Sequence, residues 1–413
     1  MTRLLFIAHR VPYPPNKGER LRALEQIKAL AGHFRVTVAA FAHDRADYES
    51  ADALRHWAED VILAPAGGWT GTMRGAACLL RGRSAGEGVF CAKNLLTAME
   101  GSTRRGPFGL VVASSSTTLP VALAVPAAAR VMDLVDVDSA KWLRYAETSR
   151  SPMRWIYRRE AAGIRRLERM AIERCDAVVV ISSAEAAVLE GPSDKVVVVG
   201  NGVDTEYFTP QPRPAGGTTI VFTGTMSYRP NAEGVCWFVR EVWPELKRSR
   251  GDLRFLIVGR APTRAVRRLS ENPGVVVTGS VPDVRPYLAS ADLAVAPLRI
   301  ARGVQNKILE AMAAGRAVVA SPQALEGLEL AEGSDVLRAA TPREWKETIL
   351  SLLSDEAARR RIEQAARRRV EHDYVWSARL APLVALCGRL TAGESGQSPQ
   401  TASSPQQAAA ENC

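Results

Sequence analysis

Short, almost wholly apolar runs recur along the chain, and stretches with helical spacing separate them. The first such run is Leu4–Ala8. It is followed by an apolar stripe at Leu21, Leu24, Ile27 and Leu30, and then by Val36–Phe41. Residues 61–64 and 110–113, Ala177–Ile181 and Lys195–Val199 repeat the strand-length pattern. A second series begins at Thr219–Thr223 and continues through Arg254–Val258, Val275–Thr278, Leu293–Ala296 and Ala317–Ala320. Unbroken apolar runs of this length suit parallel strands covered on both faces. Strands alternating with helices in both halves predict two doubly wound α/β domains. Between the two series lie Gly200–Asp204 and the proline- and glycine-rich Phe208–Gly217, which mark a domain boundary.

The stretch 292–321 reads as strand, loop, helix, strand. Pro297 ends the first apolar run, and Arg299–Gln305 has no apolar period. Ile308, Leu309 and Met312 form a helical stripe over Asn306–Ala314, which Gly315 stops. The first helical turn therefore sits at the carboxyl end of a strand, where open α/β sheets bind ligands. A helix N-terminus offers unpaired N–H groups and a positive dipole end to a phosphate. Lys307 and Glu310 are three apart and share a face. A cation beside a phosphate and a carboxylate beside a diol would make a sugar-nucleotide site. The alternative is a solvated Lys–Glu pair.

Charge and cysteine usage narrow the class. Formal net charge is +10 over 413 residues, which suits anionic small substrates, an anionic membrane or nucleic acid. The arginines are spread out and aromatics are few, so nucleic acid is the weaker option. Six cysteines without a CxxC fit neither a disulfide framework nor a zinc site, and they agree with a reducing cytoplasm. Leu4–Ala8 is too short for a signal-peptide core. No stretch approaches the roughly twenty apolar residues of a membrane span. A cytoplasmic protein is expected.

Further candidates lie at strand ends. Val11–Arg20 is a proline-marked loop in which Gly18 allows close backbone approach, and it holds Asn16, Lys17 and Arg20. It is not a GxGxxG loop, and no Walker motif occurs. Within Ala129–Trp142 a strand ends in three alternating carboxylates, and a helix begins near Lys141. Asp138 is assigned to capping the next helix, and Asp136 is kept as a functional candidate. Residues 150–174 form a helix with eight arginines against three glutamates and with Trp155 and Tyr157. It is either a solvated face or a surface for an anionic membrane. Phe222–Asn231 is a second glycine loop at a strand end. The arginines at 359–361 and 367–369 read as a solvated helix face, and the tail from Thr391 reads as disordered.

The order of these segments resembles a known family. The ERCDAVVVIS strand, the VVVVGNGVDTEYF linker, FTGTM, FLIVG, VVVTGSVPDVRPYLASADLAVAPL and a helix carrying Glu310 are similar to retaining GT-B glycosyltransferases of family four. The likeness extends to about residue 390. Val135–Trp142, Gly224–Asn231 and Pro297–Lys307 further resemble the sugar transferases associated with exosortase (PEP-CTERM) systems and exopolysaccharide loci.

The resemblance implies two Rossmann-like domains facing across a cleft. The first, 1–203 with 375–390, would bind the acceptor, and the second, 204–374, the nucleotide sugar. The terminal helix would cross back onto the first domain, and 391–413 would be a disordered tail. Glu310 matches the family glutamate that grips the ribose. The other glutamate of the pair, eight positions earlier, is replaced by Arg302. The Arg and Lys that neutralise the diphosphate fall on Thr225 and Pro230, which leaves Arg229 and Lys307 as the nearby cations.

The donor site implied is Gly224, Arg229, Arg302, Gly303, Gln305, Asn306, Lys307 and Glu310. Asp136, Arg229 and Lys307 are the catalytic candidates, and the loop Asn16, Lys17, Gly18 and Arg20 would face the acceptor. The expected reaction moves a sugar from a nucleotide diphosphate to a glycan or lipid-linked acceptor with retention. It would serve exopolysaccharide or cell-surface glycan synthesis, with no metal or cofactor, in the cytoplasm or at the inner face of the membrane. The rivals are a sugar-nucleotide epimerase of the same architecture and a non-catalytic binding or scaffold protein.

Overall fold

The apolar runs pair edge to edge as parallel strands in two separate sheets. The computed structural model describes residues 1–393 apart from 192, 214–217 and 302. The first sheet holds β1 (Arg3–Ala8), β2 (Arg35–Ala42), β3 (Asp60–Pro65), β4 (Phe108–Ser114), β5 (Ala127–Val135), β6 (Ala177–Val180) and β7 (Val196–Val198). Their order is β3-β2-β1-β4-β5-β6-β7. The second holds β8 (Thr219–Thr223), β9 (Arg254–Val258), β10 (Val275–Gly279), β11 (Leu293–Ala296), β12 (Ala317–Ala320) and β13 (Leu337–Arg338), in the order β10-β9-β8-β11-β12-β13. Each sheet reverses its winding direction once, between β1 and β4 and between β8 and β11.

Alternation along β1 shows why its strand is apolar throughout. Leu4, Phe6 and Ala8 face one core, and Leu5 and Ile7 face another. The first core is closed by Leu24, Ile27 and Leu30 of helix Gly18–Ala31. The second is closed by Leu167, Ala171 and Ile172 of helix Met153–Arg174. The second sheet has one continuous core, in which Trp243 and Trp345 are fully buried.

Two long connections bind the halves. The linker N–H of Val203 donates to the Tyr374 carbonyl at 2.7 Å, and Gly202 lies so close to the terminal helix that a Cβ would stand 2.7 Å from Trp376 Cα. That helix, Trp376–Ala392, buries Trp376, Leu380, Leu383 and Leu386 in the core of the first sheet. It runs past Thr391 and is closed by Gly393 at φ +83°, so Thr391 and Ala392 are helical and not part of a tail as expected; residues 394–413 lie outside the described residues.

The basic helix is less free than its composition suggests. Arg166 pairs with Glu87 at 2.7 Å and Arg169 with Glu190 at 2.6 Å. Its apolar face is core, as Ile164 and Leu167 show.

Candidate donor and acceptor site

The switch point of the second sheet gathers the donor-side residues. Gly224 follows β8, and the loop to Lys307 follows β11; these strands are adjacent and their chain connections run opposite ways, the place where open sheets bind ligands. Gly224 has φ +154°, and its N–H donates to the Val258 carbonyl at 3.0 Å. A Cβ at this position would lie 2.7 Å from Asn231 Nδ2 and 3.4 Å from Lys307 Cε, so glycine lets the loop meet the lysine.

Helix Asn306–Ala313 buries Ile308, Leu309 and Met312, which turns Lys307 and Glu310 away from the core. Its cap residue Gln305 makes no side-chain bond to the backbone N–H groups of the first turn, and a helix N-terminus of this kind suits an anion. Lys307 Nζ donates to Gln305 Oε1 at 3.0 Å and stands 5.7 Å from the centre of the Phe222 ring. Burial lowers the Lys307 pKa to about 8, against the opposing charge of Glu310. Burial likewise raises that of Glu310, against Lys307. No hydrogen bond from a described residue reaches the Glu310 carboxylate. The two groups sense each other without the contact expected of a surface ion pair.

The cations sort differently from the sequence expectation. Arg229 opens helix Arg229–Glu241, but its Nε donates to Glu233 at 2.6 Å and its Nη1 to Thr148 Oγ1 at 3.4 Å. Arg260, just past β9, donates through Nε to Thr225 Oγ1 at 3.3 Å and has no carboxylate partner among the described residues. Gly259 brings it there: at φ +151°, a Cβ would fall 1.8 Å from the Gly224 carbonyl oxygen. Lys17 of the first domain has its pKa lowered by burial, then by Arg10, and also by Arg260. The charges of these two cations, from opposite domains, therefore act on each other.

On the acceptor side the three carboxylates of Asp133–Asp138 part company. Asp133 is fully buried and accepts from Arg22 at 2.8 and 3.1 Å and from Gln26 at 2.6 Å. Asp138 lies inside the first turn of helix Asp138–Glu147 and pairs with Lys141, so it does not cap; Val137 is the cap residue and makes no side-chain bond. The capping expectation is therefore wrong, because the helix begins at Asp138 itself and not near Lys141.

Asp136 is left over. Its Oδ1 is buried without a hydrogen-bond partner among the described residues, and burial followed by the charges of Glu185 and Asp138 raises its pKa to about 7. The preceding Val135 has φ +67°, a strained conformation for a β-branched residue, held by a bond from its N–H to Asp133 Oδ1 at 3.1 Å. Across the cleft stands Gly303, where a Cβ would lie 2.3 Å from Asp136 Oδ1. His9, at the end of β1, has its pKa lowered by burial to about 4. It is neutral at pH 7 and can both donate and accept.

Comparison with known proteins agrees with this geometry. Residues 217–355 match the family model described as Glycosyl transferases group 1, and residues 136–207 match that of Glycosyltransferase Family 4. The chain is of the GT-B glycosyltransferase type. No curated protein matches this glycosyltransferase by sequence. Its fold is similar to sucrose-phosphate synthase (tll1590) from Thermosynechococcus elongatus, at TM-score 0.73 and 17% identity over 95% of this chain and 100% of that one. It is also similar to Anabaena Alr3699/HepE in complex with UDP and glucose, at 0.66 and 17% over 94% and 100%. A third similar structure is WaaG, a glycosyltransferase involved in lipopolysaccharide biosynthesis, at 0.63 and 14% over 93% and 99%.

Of the residues singled out in this glycosyltransferase, Gly224, Lys307 and Glu310 gather at the switch point, with Gly303, Gln305 and Asn306 in the loop and first turn beside them. Arg302 lies outside the described residues. Gly18 faces Asn306, whose Nδ2 is 3.8 Å from where its Cβ would be, and Lys17 is the preceding cap residue, while Asn16 donates its N–H to Pro14 within the loop. Arg20 does not face the cleft as a free cation; it pairs with buried Asp47 at 2.8 Å. Arg229 is likewise engaged by Glu233.

Arg260 and His9 were not singled out. His9-Arg10 directly after one apolar strand and Gly259-Arg260 directly after another are the signals the sequence gives.

Proposed function

We propose that this glycosyltransferase moves a sugar from a nucleotide diphosphate donor to a glycan or lipid-linked acceptor, with retention, in exopolysaccharide or cell-surface glycan synthesis. The observation that carries this reading is the Glu310 carboxylate, which has no hydrogen-bond partner among the described residues, beside Lys307 at the β8/β11 switch point. A carboxylate can accept from both ribose hydroxyls, and Lys307 with the helix N-terminus supplies positive charge to the diphosphate. UDP bound to the similar Anabaena protein adds support for a nucleotide donor.

Arg260 takes the role expected of Arg229, because it is the cation left without a carboxylate partner among the described residues. The attacking hydroxyl would approach from the side of Asp136 and His9. In a retaining reaction of this kind the departing phosphate can take the acceptor's proton, so the chain needs no nucleophile of its own. Asp136 then orients the acceptor by a hydrogen bond.

The non-catalytic alternative draws on the loss of Arg229 to Glu233. Incubation with a set of nucleoside diphosphate sugars, with and without lipid-linked saccharide acceptors, tests the proposal. Acceptor-dependent release of nucleoside diphosphate and an axial product linkage from an axial donor are expected. Turnover of donor alone to an isomerised sugar would instead mean an epimerase, and binding without any turnover a scaffold.

A further inference from the structure

Helix Gly68–Leu80 is built inside out. Its small residues face inward: Gly71 and Gly75 are buried, and a Cβ on Gly75 would stand 3.1 Å from the Ala85 carbonyl oxygen. Its large residues face water. Trp69 is 80% exposed, Met73 62% and Leu80 69%. At 100° per residue these three fall within about 40° of one another, so they form one stripe. Hydrophobic burial alone would turn such a helix round; contiguous exposed apolar surface of this kind marks a contact site.

Charge identifies the occupant. No carboxylate occurs between residues 66 and 86, whereas Arg74, Arg81 and Arg83 do. Arg83 shares the single carboxylate of Glu87 with Arg166, which leaves the border of the stripe positive. A two-fold contact with a second copy would set two wholly cationic helices together. Tryptophan with an apolar stripe and arginine flanks is instead the composition that inserts into an anionic lipid interface.

We propose that the exposed face of Gly68–Leu80, with Trp69, Met73 and Leu80 inserted and Arg81 at the headgroups, docks the first domain on an anionic phospholipid surface. This deepens the reading of a lipid-linked acceptor and rests on it for its purpose. It gives the apolar anchor to this helix and not to Met153–Arg174, whose Arg166 and Arg169 are held by glutamates.

The test is sedimentation of the full chain with vesicles of equal phosphatidylglycerol and phosphatidylcholine, and with phosphatidylcholine alone. Trp69→Ser/Met73→Ser/Leu80→Ser and Trp69→Ser alone are compared, each checked by melting temperature. The expected result is binding to the anionic vesicles, at least tenfold weaker to the neutral ones, and lost at least tenfold in the triple variant at unchanged melting temperature. Equal pelleting of the triple variant, or no pelleting of the wild type, overturns the proposal. So does a wild-type dimer that the triple variant makes monomeric without any vesicle binding. Nucleoside diphosphate titration of the same proteins, free of lipid, reads the donor site separately. Loss of that binding in the wild type would strike the proposed function and leave the vesicle result standing.

Discussion

Asn201 Nδ2 donates to Asn306 Oδ1 at 3.0 Å, joining the interdomain linker to the first residue of the donor-side helix. Behind it, Arg22 donates to Asn201 Oδ1 at 3.0 Å and is itself fixed by Asp133. A polar chain thus runs from the centre of the first sheet to helix Asn306–Ala313. Asn201→Ala leaves one Arg22 N–H unpaired in a dry site, which costs about 1–3 kcal/mol. The melting temperature should fall, and donor KM should rise more than kcat falls. Asn306→Ala breaks only the outer link and should destabilise less. Thermal melts and steady-state kinetics of both variants check this; equal melts would mean the chain does not act as a unit.

Lys307 should give donor binding a pH limit. Its pKa is lowered to about 8, so its charge is present below that value and lost as pH rises through it. Affinity for a nucleoside diphosphate should therefore decline between pH 7 and 9. Lys307→Ala should bind weakly at all pH values and lose the step. Nucleoside monophosphate binding, which lacks the second phosphate, should hardly change. Titrations at a series of pH values separate these outcomes.

Arg260 and Arg229 should behave oppositely to their order of promise in the sequence. Arg260→Ala removes a cation without a carboxylate partner among the described residues and should cost diphosphate affinity and turnover, tenfold or more if the site is desolvated. Arg229→Ala removes a charge already balanced by Glu233 and should act several-fold at most. Side-by-side kinetics of the two variants decide between them.

Asp136 should reveal itself through stability as well as rate. Its folded pKa of about 7 lies above the ordinary value of 3.8, so the folded state holds the extra proton between them. That contribution to stability is complete below pH 3.8 and is lost as pH rises through 7. Asp136→Asn cannot ionise and should melt progressively higher than wild type as pH increases from 4 to 8. Acceptor KM should rise in the variant while nucleoside diphosphate binding stays. Parallel melting curves at every pH would show that Asp136 is not held in this state.

Much of the fold was legible because a strand buried on both faces must be apolar throughout, and β1, β8 and β11 are. The order of strands was not. Nothing in the run Thr219–Thr223 says that it lies beside Leu293–Ala296, yet that adjacency brings Gly224 to Lys307. Partnering was equally hidden. Arg229 and Arg260 are both arginines after strands, and only the fold shows that Glu233 engages one and no described carboxylate the other. Asp138 resembles a cap because carboxylates are favoured just before a helix; the helix begins at Asp138 itself, which places it inside the first turn beside Lys141.

The central claim is that the Glu310 carboxylate grips the ribose of a nucleotide donor. Calorimetric titration of wild type and Glu310→Gln with a nucleoside diphosphate tests it most directly. Glutamine offers one acceptor oxygen where the carboxylate offers two, and charged hydrogen bonds of this kind are worth about 1.5–3 kcal/mol. The account predicts a tenfold to hundredfold loss of affinity, for nucleoside monophosphate as well, with an unchanged melting temperature. Wild-type affinity in Glu310→Gln would contradict it and remove helix Asn306–Ala313 from the donor site.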